Sequence, residues 1–447
     1  MLRLDPLHAV ASLVLAFAPA IVTGSGDGAA PARQEGSRLS LQDLLARMKK
    51  MRDDRVGELK GSVDQILRVL DTEAQTHRQA GLAEQKDRLV ALGSECAPLL
   101  VDAIDPGENP DDTARLRALT ITQALVEQRS PAITARLVEL ARTGSAEGRL
   151  NATKALAASP DVDRASAVLV EVFRSSSGAL KRAALIGIAH LGGPENEKVI
   201  AQALSAGDSE TIKLSLDALA NAHATAFAPR VLKLTATPRD AAPYAEEILG
   251  YYRACPEVVD KAHILALAHL AGEIGVSNES RGKILDLLPK FASKFDADVK
   301  KELRLLAGSP TREVREGALA TLYLAGDRNA RKELLADYDE QIDRNKQWAA
   351  SYEARGNVYY RIGEYRDAIQ DYKKSLLLAA SDIRARTDGC YIGLARCYMQ
   401  QGKLKEAHEQ LENAPLSNKQ LGDLAREPLF QKLVEHPKFG KVFKAAE

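Results

Sequence analysis

The sequence predicts an all-α solenoid, a run of short helices stacked pair upon pair. Three observations carry this. A helical hairpin is legible from Ser351 to Leu376, with a second copy from Tyr391 to Ala414. A different helical unit recurs between Cys96 and Leu335, and no stretch reads as a convincing strand. The 447 residues give room for two or three ordinary domains, or for one long stack whose core is a continuous seam.

At the amino end, Arg3 precedes an apolar run from Ala9 to Val22, which Thr23, Gly24, Ser25 and Gly26 break. Residues 1–24 read as a secretory signal peptide, because the run falls short of the about 20 apolar residues that span a bilayer. Small-x-small cleavage sites end at Ala18, Ala20 and Ala32, and the choice among them stays open. The expectation is therefore export to the periplasm or cell envelope, or secretion, with no stable membrane span. Residues 25–38, rich in Gly, Ala, Pro and Ser, read as a flexible linker.

Residues 39–92 form an amphipathic helical segment. Leu41, Leu45, Met48, Val56, Leu59, Val63, Ile66 and Leu70 fall largely at steps of three and four, with charges between them. This supports two readings, a homodimer through the 41–70 helix or a helix lying along the first repeats. Arg52 interrupts the seam, and Gly57 and Gly61 each weaken the helix by about 1 kcal/mol relative to Ala.

Residues 93–343 repeat an apolar pair in one helix and a small residue in the next, at an offset of roughly 32 residues, a solenoid period. Leu137 matches Leu169, Ala152 matches Ala184, and Leu156 matches Ile188; Val314, Arg315, Ala318 and Leu322 mark the last copy. The pairing of Arg149 with Ala152, and of Lys181 with Ala184, resembles HEAT-like repeats. That resemblance implies a right-handed α–α superhelix with a concave wall. Between 235 and 299 the signature fades and no repeat boundary is legible.

In residues 344–415, Gly356, Gly363 and Ala368 stand where two helices must approach, and Tyr352, Tyr359, Tyr365 and Tyr372 supply bulk between them. Ala395, Gly402 and Ala407 hold the corresponding places in the second copy. These two units resemble tetratricopeptide repeats, helical hairpins of about 34 residues. The resemblance implies a binding groove lined by the first helix of each hairpin: Glu353, Asn357, Tyr360 and Arg361, then Ile392, Arg396, Met399 and Gln400. Glu353 stands where a carboxylate clamp needs Lys, and Gly393 where it needs a second Asn, so that specialised groove is rejected. Two hairpins are fewer than the three usually needed for independence, so they should continue the preceding stack through a helix from Asn329 to Asn345. Residues 416–447 repeat Pro428, Phe430, Lys432 and Leu433 as Pro437, Phe439, Lys441 and Val442, and read as a closing cap.

Lys plus Arg and Asp plus Glu each number 61, so charge offers nothing to nucleic acid. Cys96, Cys255, Cys390 and Cys397 show neither metal-ligand nor disulfide spacing, and no metal or other cofactor is expected. His190, His223, His263, His269 and His408 form no catalytic motif. The reading is a non-enzymatic protein–protein interaction scaffold or peptide-binding protein acting outside the cytoplasm. Its alternatives are an envelope enzyme such as a lyase built on HEAT-like repeats, and a structural self-associating protein.

Overall fold

The computed structural model describes residues 41–205, 208–380 and 387–446. The signal peptide and linker expected for residues 1–38 lie outside the described residues. Among those described there is no strand and no helix long and apolar enough to cross a membrane. The described residues up to 59 and those from 60 onward fall into separate units.

In the first unit the described residues are the opening turns of a helix, Leu41–Gln75. Residues 45–58 are all exposed, among them the apolar Leu45, Met48, Met51 and Val56.

In the second unit the same helix buries Val63, Ile66, Leu70 and Ala74, at the steps of three and four that define one helix face. From Gln79 onward the helices fall into two layers. One layer runs Gln79–Ala91, Asp112–Gln128, Ala146–Leu156, Gly178–Leu191, Ser209–Asn221, Ala245–Ala254, Asn278–Leu287 and Arg312–Leu324, each helix packing on the next. The other includes Thr134–Thr143, Val162–Ser175, Lys261–Gly272 and Ala297–Ala307, each paired with the first-layer helix that follows it.

The residues matched in the sequence occupy equivalent buried positions: Ala152, Leu156, Leu169, Ala184 and Ile188 are inaccessible to solvent. The recurrent arginine also has a physical reason. Arg149 Nε donates to the Ala141 carbonyl at 3.3 Å, and Arg315 Nη1 to the Ser309 carbonyl at 3.3 Å. Each thereby satisfies a carbonyl near the end of the preceding helix, which has no intrahelical partner. Arg281 does the same for the Glu273 carbonyl, at 2.5 Å, and so reveals a unit inside the stretch where the sequence showed none. Within that stretch Pro238 and Pro243 open short turns, Pro238–Ala241 and Ala242–Tyr244, in place of a full helix. Lys181 departs from the pattern and donates to Thr211 Oγ1 at 2.8 Å.

Helix Arg328–Arg344 packs on Arg312–Leu324 and on Ala349–Arg361, so the stack continues into the hairpins. The first hairpin pairs Ala349–Arg361 with Tyr365–Ala379, and the second pairs Asp388–Gln400 with Leu404–Asn413. Tyr372 is the bolt between them. Its ring, 1% exposed, lies between the backbones of Gly356 and Gly393, where an added Cβ would stand 3.0 Å and 2.4 Å from ring carbons. Ala368, Ala395 and Ala407 are fully buried around it. Gly363 and Gly402 correct the sequence reading. They have φ of +80° and +73° with no atom within 4 Å of a Cβ position, so they shape the interhelix turns and make no close helix contact.

The tail begins with helix Asn418–Ala425, opened by a reciprocal cap between Ser417 and Gln420. Phe430, Leu433 and Phe443 then enter one core with Leu394, Ala395, Ala407 and Leu411. In the repeated motif Phe439 and Val442 are half-buried, and Phe443 supplies the fully inserted ring.

Candidate functional site

The first hairpin is joined to the preceding stack by a dense polar network. Arg331 grips Glu364 bidentately, Nε to Oε1 at 2.8 Å and Nη2 to Oε2 at 2.8 Å, and the Tyr323 hydroxyl donates to Glu364 Oε1 at 2.7 Å. The Arg331 hydrogen bonds hold the Glu364 carboxyl below its ordinary range. Arg331 and Arg355 also lie over the Tyr359 ring, and Arg355 pairs with Asp371 at 2.7 Å and Asp339 at 2.8 Å. Planar guanidinium groups suit such contacts because one face can stack while the edge donates in a fork.

Beside this network the preceding stack and the hairpins border a cleft of about 450 Å³. Its floor is Leu285, Ala320 and Thr321, all buried, with the Thr321 hydroxyl within hydrogen-bonding reach of the Leu285 carbonyl at 2.9 Å and the Gly317 carbonyl at 2.8 Å. Tyr360 and Tyr365 form a wall, their ring centroids 5.8 Å apart and tilted by 51°. Leu324, 41% exposed, lies at the rim with Pro289 and Gln400. Arg361 crosses from the hairpin to the preceding stack, donating from Nε to Asp286 Oδ1 at 2.8 Å, with Nη2 at ion-pair distance, 2.6 Å, from the same oxygen. Both contacts use one carboxylate oxygen. The second oxygen and the outer guanidinium nitrogen are an acceptor and a donor suited to a peptide group. Gly317 makes room for this crossing, since its Cβ would lie 2.6 Å from Leu285 Cδ1 and 3.1 Å from Arg361 Nη2.

The structure divides the eight groove residues expected from the sequence. Tyr360, Arg361 and Gln400 line the cavity together. The other five are placed elsewhere. Met399 is buried in the core of the second hairpin, 8% exposed, and Ile392 packs against that core. Arg396 pairs with Glu427 of the tail, Nη2 to Oε1 at 2.5 Å, so it docks the cap. These three share one face of Asp388–Gln400, and the tail covers that face, which is why they do not line an open groove. Asn357 accepts the Tyr372 hydroxyl at 2.7 Å and thus satisfies a buried phenol. Glu353 places its carboxylate against Gly389, where an added Cβ would be 2.2 Å from Oε1.

The cavity residues that the sequence did not suggest are Leu285, Asp286, Pro289, Ala320, Thr321 and Leu324. No local spacing could find them, because the Arg361–Asp286 contact alone bridges 75 positions. A separate cavity of about 490 Å³ is lined by Asp71, Asp105, Asp111 and Arg117. Its Asp105 is committed to structure, accepting from the Ser145 hydroxyl at 2.5 Å and the Gly107 amide at 3.0 Å. Among the described residues no group of three or more His, Cys, Asp or Glu side chains is placed to hold a metal ion. Cys390 and Cys397 are buried, and burial pushes both thiols up to about 12.

A two-layer all-α repeat stack with a mixed apolar and polar cleft defines a class of protein that presents surface. In agreement, the tetratricopeptide repeat family matches residues 361–426, from the end of the first hairpin's leading helix into the tail. Tetratricopeptide repeats generally mediate protein–protein interaction, and proteins that contain them are typically non-enzymatic scaffolds. No curated protein matches the chain.

Proposed function

We propose that this protein is an exported peptide-binding scaffold whose partner inserts a large apolar side chain into the cleft between the stack and the first hairpin. The observation that carries the reading is the composition of that cleft. An apolar floor and a tyrosine wall stand beside Gln400 and the Asp286–Arg361 pair, which offer donors and acceptors to a peptide backbone. Burying a Leu, Phe or Met anchor is worth about 1.5–3 kcal/mol, enough to select it over small or charged residues. Export rests on the Ala9–Val22 run followed by the Thr23–Gly26 break, and the HEAT-like reading of residues 93–343 on the recurrent arginine and alanine positions. Selection from a random peptide display library tests the binding reading. The bound peptides should share one large apolar position. A Leu324→Glu chain should fail to enrich them, and enrichment without a common anchor would refute the proposal.

A further inference from the structure

Residues 41–59 form a helix that the cleft does not explain. Every residue from 45 to 58 is exposed, and Leu45, Met48, Met51 and Val56 are 57%, 54%, 72% and 48% accessible. Leu45, Met48, Val56 and Leu59 continue the stripe that, further along the same helix, is buried as Val63, Ile66 and Leu70. Most helical stability in proteins comes from packing an apolar face, which residues 45–58 lack among the described residues, and Gly57 weakens this stretch further. Its charges are partly segregated: after Asp43 come Arg47, Lys49, Lys50 and Arg52, then Asp53, Asp54 and Glu58, with Arg55 the one cation among those three.

We infer that this helix pairs with the same helix of a second copy of the chain, running antiparallel and crossing near Arg52 and Asp53. In that arrangement Met48 meets Val56 of the second copy, Leu45 meets its Leu59, and the two Arg52 side chains come together at the two-fold axis, each within reach of the other copy's Asp53. Lys50 then faces the other copy's Asp54 and Arg47 lies beside its Glu58, each contact made twice by the symmetry, while Lys49 falls opposite Arg55. A parallel, in-register pair would set the four cations of one copy against the same four of the other, within the screening length of about 10 Å. Antiparallel pairing also opposes the two helix dipoles.

Single cysteines in the full-length chain read the geometry directly, since the four native cysteines are all buried. A disulfide forms only when the Cα atoms come within about 7 Å. Arg52→Cys should cross-link to itself under mild oxidation. Met48→Cys alone should not, because two copies of residue 48 would stand about 12 Å apart along the axis at 1.5 Å per residue, but mixed with Val56→Cys it should. Light scattering of the unmodified chain should give the mass of two copies, and Met48→Asp combined with Val56→Asp should return the mass of one without changing the melting of the rest. Self-linking of Met48→Cys would show a parallel pair and overturn the inference. A single-copy mass at all concentrations, with or without capture of the helix by anionic lipid vesicles, would overturn it equally.

Discussion

Replacing Gly393 by Ala puts a methyl group into the tight contact with the Tyr372 ring between the two hairpins. The new Cβ would lie 2.4 Å from Tyr372 Cζ, 2.7 Å from Cε2 and 2.8 Å from Cε1. The ring has no retreat, because on its other side the Gly356 Cβ position is already 3.0 Å from Cδ1 and Cε1, and the hydroxyl is tied to Asn357. Overpacking of this kind costs about 1–3 kcal/mol, and the contact lies well inside normal separations, so the upper half of that range applies. Alanine's better helix propensity returns about 1 kcal/mol, which leaves a net loss of about 1–2 kcal/mol. Gly356→Ala demands far less movement, and the same propensity gain should bring it close to neutral. Gly250, with nothing within 4 Å of its Cβ position, should become more stable as Ala by up to about 1 kcal/mol. Urea unfolding followed by the fluorescence of Trp348, the only tryptophan, reports on the start of the first hairpin. Tyr372→Leu should suppress the Gly393→Ala penalty in a double-mutant cycle. If Gly393→Ala unfolded at the same urea concentration as the original chain, or if Gly356→Ala were the more damaging, the packing of Tyr372 between two glycines would be refuted.

Other outcomes follow from the same geometry. Asn357→Ala should lower stability by about 1–2 kcal/mol, because it strands the buried Tyr372 hydroxyl, and Tyr372→Phe should rescue part of that loss. Glu364 is held below its ordinary range by Arg331, so its contribution is fully present above the unfolded value of about 4.3 and is lost as pH falls through the depressed one. Melting of the original chain and of Glu364→Gln should therefore differ at neutral pH and converge in acid; a constant difference would contradict the pairing. Cys390 and Cys397, pushed up to about 12 by burial, should resist alkylation at pH 8 until the hairpins unfold, and labelling of the native chain measured by mass would show the core to be open.

The stack was legible in the sequence because each unit carries its own period. Ala152 and Ala184, or Leu156 and Ile188, match by spacing alone and are buried alike. The hairpins were legible for the same reason, down to Ala368, Ala395 and the close approach at Gly356. What local spacing cannot show is which face of a helix its distant neighbours cover. Ile392, Arg396 and Met399 share a face that looked open until the tail was placed on it through Glu427, Phe430 and Leu433. Six of the ten cleft residues, Asp286, Ala320 and Leu324 among them, come from earlier units, and only the fold brings them to Tyr360. The glycine at 393, expected to be Asn for a carboxylate clamp, is explained by a tyrosine on the preceding helix, a contact between helices that no local motif encodes.

The most direct measurement is a calorimetric titration of one library-selected peptide into the original chain and into Leu324→Glu and Gln400→Ala. Leu324 is substantially exposed and Gln400 is exposed, so neither change should alter the melting temperature. The expected result is at least a tenfold rise in Kd for Leu324→Glu, equivalent to about 1.4 kcal/mol, and a smaller rise for Gln400→Ala. Unchanged affinity in both variants, with folding intact, would place the peptide elsewhere on the stack and contradict the assignment of the cleft.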